Sequence, residues 1–206
     1  MRKKVLVVGL DYGIARMFIE EGWDVTHNPL ETGFDLIQFT GGEDVDPSYY
    51  NERKHPATHS NPARDAREAA IYLQFSNKVP MAGICRGAQF LNVMNKGSMW
   101  QHVTNHAIGR THSAFDHINQ EDVAVTSTHH QMMIAGEGAM LLLSASCAEV
   151  KQGFETQELG GITPDVEALY YPATDCLCYQ PHPEYCGVDH PCRVKYFEYL
   201  ETFLGL

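Results

Sequence analysis

Residues 83–89 read Gly83-Ile84-Cys85-Arg86-Gly87-Ala88-Gln89, "GICRGAQ", directly after the apolar "VPMA". A cysteine between two glycines, where a buried strand (79–85) meets a helix (86–97), is the cysteine form of a nucleophile elbow. The turn is tight, and side chains at 83 and 87 would collide with nearby backbone. It lifts the Cys85 sulfur above the sheet edge, at a helix N-terminus where free N–H groups and the dipole favour a thiolate. The N–H of Arg86 then points to where an oxyanion would form. The competing reading is an ordinary buried thiol. Under either reading, the elbow joins a strand to a helix, the repeating unit of an α/β sheet.

Working outward, the same alternation recurs. "KVLVVG" (4–9) predicts a first strand. "YGIARMFIEEGW" (12–23) has Ile14, Met17, Phe18 and Ile19 at helical spacing and ends at Gly22. "DVTHNP" and "FDLIQFTGG" (34–42) predict two more strands. Residues 43–62 lack periodicity and hold three prolines, which predicts a functional loop. In 63–78, Ala66, Ala69, Ala70 and Leu73 share a helix face. Strands are expected at 123–128, 140–146, 167–172 and 176–181. A terminal helix over 192–206 is expected to turn Val194, Phe197, Leu200 and Leu204 to the core. The fold class is α/β: one three-layer domain over 1–206, with a mostly parallel central sheet and helices on both faces.

A cysteine nucleophile needs a base, and the chain has eleven histidines. His182 stands out in "QPHPE" (180–184), just past a predicted strand and between two prolines that restrict its backbone. Glu184 projects to the same side two residues on and can orient the imidazole. The alternative is a histidine in a surface loop. The double glycine Gly41-Gly42 closes the third strand. In a parallel sheet the loops at the carboxyl ends form the binding crevice. The N–H of Gly42 is therefore the second oxyanion candidate beside Arg86; otherwise the pair makes a tight turn.

Composition narrows the function. The formal charge is −11, which argues against nucleic acid or an anionic membrane as partner. No segment reads as a membrane span or signal h-region, so a cytoplasmic setting is expected. The six cysteines fit no common zinc spacing and read as reduced thiols. Six histidines between 102 and 130 are irregularly spaced and read as a solvated polar loop, so no metal is expected there.

Together these residues resemble a class I glutamine amidotransferase domain. "GICRGAQ" resembles that family's nucleophile motif and "PHPE" its His-x-Glu motif. More narrowly, "GGEDVDPSYY" (41–50), "ARDAREAAI" (63–71), "GICRGAQFLNV" (83–93) and "TSTHHQ" (126–131) resemble the branch of gamma-glutamyl-gamma-aminobutyrate hydrolases. The resemblance implies the flavodoxin-like fold of that family and a catalytic triad of Cys85, His182 and Glu184. It implies a gamma-glutamyl thioester on Cys85, formed from a gamma-glutamyl amide or glutamine, and no cofactor. By position, Gly41, Gln89, Ser127, Thr128 and His129 match places where the family holds the glutamyl group. A free-standing hydrolase is the first expectation. A glutaminase subunit feeding a separate synthetase chain, or a silent binding domain, are the alternatives. A homodimer is compatible with all three.

The sequence also departs from the family pattern. Pro181 stands where an aromatic residue commonly precedes the histidine. Residues 147–166 do not display the family's usual short hairpin. Asp44, Asp46, Tyr49 and Tyr50 read as caps of the loop after Gly42, and Arg64 as the residue that ties the loop down. Asp65 and Glu68 read as acidic residues that suit a helix N-terminus.

Overall fold

The computed structural model describes residues 2–206. In chain order the first half comprises β1 (Lys4–Val8), α1 (Tyr12–Glu20), β2 (Asp24–Thr26), β3 (Leu36–Phe39), α2 (Pro62–Phe75), β4 (Met81–Ile84) and α3 (Arg86–Met94). Then come β5 (Ser98–Trp100), β6 (His102–Val103), β7 (Ala107–Asp116), β8 (Glu121–Thr128), β9 (Met132–Ile134) and β10 (Met140–Ala145). The chain closes with β11 (Val150–Gln152), β12 (Gln157–Leu159), β13 (Asp165–Tyr171), β14 (Cys176–Tyr179) and α4 (Pro191–Leu204).

Nine strands form the central sheet in the order β2-β1-β3-β4-β14-β13-β10-β7-β8. The five strands from β2 to β14 are parallel, and the rest join antiparallel. Strand alternation feeds two cores. Val5 and Val7 face α1 and α4, while Leu6 and Val8 face the side of α2 and α3. This is the α/β architecture expected, with helices on both faces.

The parallel half positions the site. The last strand, β14, inserts beside the elbow strand β4, with Tyr179 level with Ile84. The Cys85 N–H donates to the Tyr179 carbonyl at 2.9 Å. This register brings residue 182 to residue 85 across nearly a hundred positions of sequence.

Several expectations need correction. The buried face of α2 is Asp65, Glu68 and Tyr72, and Leu73 is 69% exposed. Ion pairing with the buried Arg86 outranks the alanine stripe, which has little area to bury. In α4 the buried apolar set is Cys192, Tyr196, Tyr199 and Leu200, while Val194 is exposed on the opposite side. Ile19 of α1 is likewise exposed. Much of 102–130 is no loop: besides the strand expected at 123–128, it forms β6, all of the ten-residue β7 and the start of β8. The positions of β7 turned inward include His112 and Asp116, so an apolar pattern could not reveal it. Residues 147–166 do contain a short hairpin, β11–β12. No helix among the described residues is long and apolar enough to cross a membrane.

Candidate active site

Four parallel strands end on one edge and deliver their following residues there: Gly9 after β1, Thr40–Gly42 after β3, Cys85 after β4 and Gln180–His182 after β14. Cys85 has φ 53° and ψ −112°, a left-handed conformation that costs a non-glycine residue on the order of 1–3 kcal/mol. The glycines around it are required. A Cβ on Gly83 would overlap the backbone of Gly87, and one on Gly87 would overlap the carbonyl of Phe39. The helix starts at once, since the Gln89 N–H donates to the Cys85 carbonyl at 3.0 Å. The N–H of Arg86, at the first position of α3, therefore has no intrahelical acceptor.

The imidazole of His182 stands beside Glu184 and Cys85. Its Nδ1 lies 2.6 Å from Glu184 Oε1, and the Cys85 side chain is a close neighbour, both meeting at Gly41. Burial works against the charged ring, yet the neighbouring Cys85 and Glu184 outweigh it and push its pKa up to about 10. Tyr185 stacks on the ring, 4.5 Å between centroids and nearly coplanar in tilt at 1°. The His182 N–H donates to Thr126 Oγ1 at 2.6 Å. Tyr185 and Thr126 were not legible as site residues. Tyr185 follows the His-x-Glu pair directly, which was the available signal.

Gly41 lies against this pair: a Cβ there would sit 3.2 Å from His182 Cε1 and 3.8 Å from Cys85 Cβ. Gly42 has φ 135°, which favours glycine, and Arg64 fills the space a side chain would need. Arg64 ties the loop as expected. It donates to the carbonyls of Gly41 at 2.8 Å and Thr40 at 3.2 Å, and pairs with Glu43 and Glu68. The hydrogen bond from Arg64 holds the Glu43 carboxyl down to about 2. Farther along the loop, Asp46 caps the turn Pro47–Tyr50 and Asp44 bonds the His59 N–H at 2.7 Å. The side chain of Arg86 turns away from the site and is buried against Asp65 and Glu68.

The remaining expected residues sit on the other flank. Gln89 is buried, and its amide donates to Gln180 Oε1 and the Gln131 carbonyl. Ser127 Oγ donates to the His106 carbonyl, and Thr128 is exposed. His129 points its ring to the Gln131 carbonyl and to Glu167 of β13, within a buried histidine cluster. The reading of 102–130 as a solvated histidine loop is overturned here. His106 is fully buried and His129 nearly so, because Asp165 and Glu167, distant in sequence, supply the charge partners. On the first flank a cavity of about 740 Å³ opens between Gly41, Gly42, His182 and Tyr185 and the walls formed by Asp11, His27, Glu43 and Arg67.

Comparison with known proteins bears on the fold and the family. Solved structures share the fold. A glutamine amidotransferase from Thermotoga maritima has TM-score 0.61 and 15% identity over 100% of this chain and 85% of that one. PurLQS from Thermotoga maritima has TM-score 0.64 and 16% identity over 99% and 100%. The Mycobacterium tuberculosis protein named "Putative glutamine amidotransferase Rv2859c" is 34% identical over 156 residues, 66% of this chain and 49% of that protein. The chain spans about half the length of this relative and of a second curated one, a Lactococcus lactis protein named "Putative glutamine amidotransferase-like protein YvdE homolog". The family model described as Peptidase C26 matches residues 21–184, and the chain belongs to that family of hydrolase-type enzymes within the class I glutamine amidotransferase superfamily.

Proposed function

We propose that this protein hydrolyses a gamma-glutamyl amide bond through a thioester on Cys85. The observation that carries the reading is His182, held by Glu184 at 2.6 Å, standing beside Cys85 at the elbow. In the thiolate–imidazolium pair, the Cys85 sulfur attacks the side-chain carbonyl carbon and the carbonyl oxygen takes up the charge. The N–H groups of Gly42 and Arg86 receive that oxyanion. His182 gives its proton to the leaving nitrogen, the C–N bond breaks, and amine or ammonia departs. His182 then takes a proton from water, the hydroxide attacks the thioester, and glutamate leaves as the thiol is restored. Glu184 keeps the imidazole in one tautomer throughout.

The glutamyl group is assigned to the flank of Gln89 and Ser127–His129, and Gly41 lets it approach the backbone. The amine is assigned to the cavity beside Gly42, where Asp11 and Glu43 offer carboxylates. This is the gamma-glutamyl-gamma-aminobutyrate hydrolase branch of the family, working on a soluble small molecule in the cytoplasm without a cofactor. A second reading is a glutaminase subunit of a synthetase. Leu10 favours it, since it lines the cavity and is 85% exposed, as at a surface awaiting a partner.

The test is glutamate release by the purified chain from glutamine and from a panel of gamma-glutamyl amines, with Cys85→Ala as control. Release from a gamma-glutamyl amine that is lost in the variant supports the hydrolase. Slow release from glutamine alone supports the subunit reading. Release that survives Cys85→Ala overturns both.

A further inference from the structure

One strand beyond β14, three side chains from separate segments, His106, His112 and Glu167, bring ligand atoms within 4.8 Å of one another. His112 Nε2 of β7 lies 2.8 Å from Oε1 of Glu167 on β13, and His106 Nδ1 lies 3.3 Å from the same oxygen. His129 Nε2, just past β8, lies 3.7 Å from Glu167 Oε2. His106 and Glu167 are fully buried and His129 is 3% exposed. His106 Nδ1, His129 Nε2 and Glu167 Oε2 face inward without a hydrogen-bond partner. Buried polar atoms left so are costly unless a cation joins them.

An outer contact prepares one of the imidazoles as a ligand. His106 Nε2 lies 3.0 Å from Asp165 Oδ2, so a neutral ring holds its proton there and offers Nδ1. His129 stays outside the ligand set, its Nδ1 on the Gln131 carbonyl at 2.9 Å. A carboxylate or carbonyl behind the ligating ring is the usual support of a metal-bound histidine. Asp165 is itself held by Lys151 at 2.9 Å and by the N–H groups of Cys147 and Ala148, so it serves as the support rather than a ligand. Bonds of about 2.0–2.1 Å in a tetrahedral site place ligand atoms about 3.3 Å apart, close to the spacings seen.

We propose that the chain carries a buried site for a borderline divalent transition ion, best matched by zinc, ligated by His106 Nδ1, His112 Nε2 and Glu167. Two nitrogens and one carboxylate suit such an ion and disfavour calcium or magnesium, which prefer oxygen. Three protein ligands leave the fourth tetrahedral position to water. The ion clips the β7–β8 ribbon to β13, two strands away in the sheet. The expectation that these histidines hold no metal is reversed by partners that only the fold supplies. The site is independent of the hydrolase reading.

The experiment uses the full chain carrying Cys85→Ala, so that the elbow thiol cannot capture metal. The stripped protein is titrated with zinc, followed by elemental analysis, and with cobalt(II), followed by visible absorption. Expected are about one equivalent of tightly held metal per chain and a cobalt spectrum of tetrahedral type lacking sulfur charge-transfer bands. Both should be lost in Glu167→Gln and in His112→Gln, with folding checked by circular dichroism. Absence of binding by the folded parent would overturn the proposal. So would sulfur bands in the cobalt spectrum, or binding unchanged in a folded variant. If both variants fail to fold, the stoichiometry and spectrum of the parent still decide.

Discussion

The guanidinium of Arg64 donates a 2.8 Å hydrogen bond to the carbonyl of Gly41, from a helix that touches no reacting atom. The same group reaches Thr40 and packs into the space beside Gly42. Arg64 fixes the peptide planes on both sides of Gly41, and in the proposed mechanism one of them carries the Gly42 N–H, which makes Arg64 a positioning residue. Arg64→Gln should lower kcat by about tenfold to a hundredfold, less than the loss typical of a deleted oxyanion donor, with KM little changed. Arg64→Lys should restore little, because a point charge cannot reproduce the fork. Steady-state kinetics on a gamma-glutamyl amide check this. An unchanged kcat would remove Arg64 from the mechanism.

The elbow is sterically closed. Gly83→Ala and Gly87→Ala each drive a methyl group into backbone, at Gly87 and Phe39 respectively. Backbone cannot rotate away as a side-chain tip can. Each variant should lose at least about 2–3 kcal/mol of stability. Urea unfolding measures it, and a midpoint like that of the parent would mean the turn is looser than described.

His182 should titrate abnormally. Its pKa of about 10 stands above the ordinary 6.5, so its folded-state contacts favour the protonated ring. The stabilisation they contribute is complete below pH 6.5 and is lost as pH rises through about 10. Cys85→Ala removes one of the two neighbours that raise the His182 pKa. In that variant the His182 resonance, followed by NMR, should titrate at lower pH than in the parent. No downward displacement would mean that the sulfur and the ring do not interact.

Arg86 has a second role beside its backbone N–H. Its side chain is 1% exposed and pairs with Asp65 and Glu68 across the α2–α3 interface. Arg86→Met leaves Asp65 buried without its cation and Glu68 with Arg64 alone, at an expected cost of about 3–5 kcal/mol. Adding Asp65→Asn and Glu68→Gln should recover much of that loss. Thermal and urea unfolding of the single and triple variants check it.

How much of this was legible beforehand follows from where each signal lives. Cys85 with its two glycines, the pair His182 and Glu184, and the glycines after β3 are local patterns, since a tight turn or a short extended segment dictates its own residue types. The strands of the parallel half carry apolar runs because both their faces are covered. β7 carried no such run, since its partners are one buried face and water. The face of α2 was misread because alanine periodicity resembles a core stripe, whereas the burial there is set by Arg86, some twenty positions away.

What the sequence by itself determined is the glycine-flanked elbow, the pairing of His182 with Glu184 and the alternation of strands and helices. Each is imposed by short-range sterics and periodicity. The tertiary structure alone decided the register of β14 beside β4, the tether of Arg64 to Gly41 and the burial of His106, His112 and His129 around Glu167. Those are meetings of charged or polar groups far apart in the chain. Their energies depend on distance and burial, which no spacing along a sequence encodes.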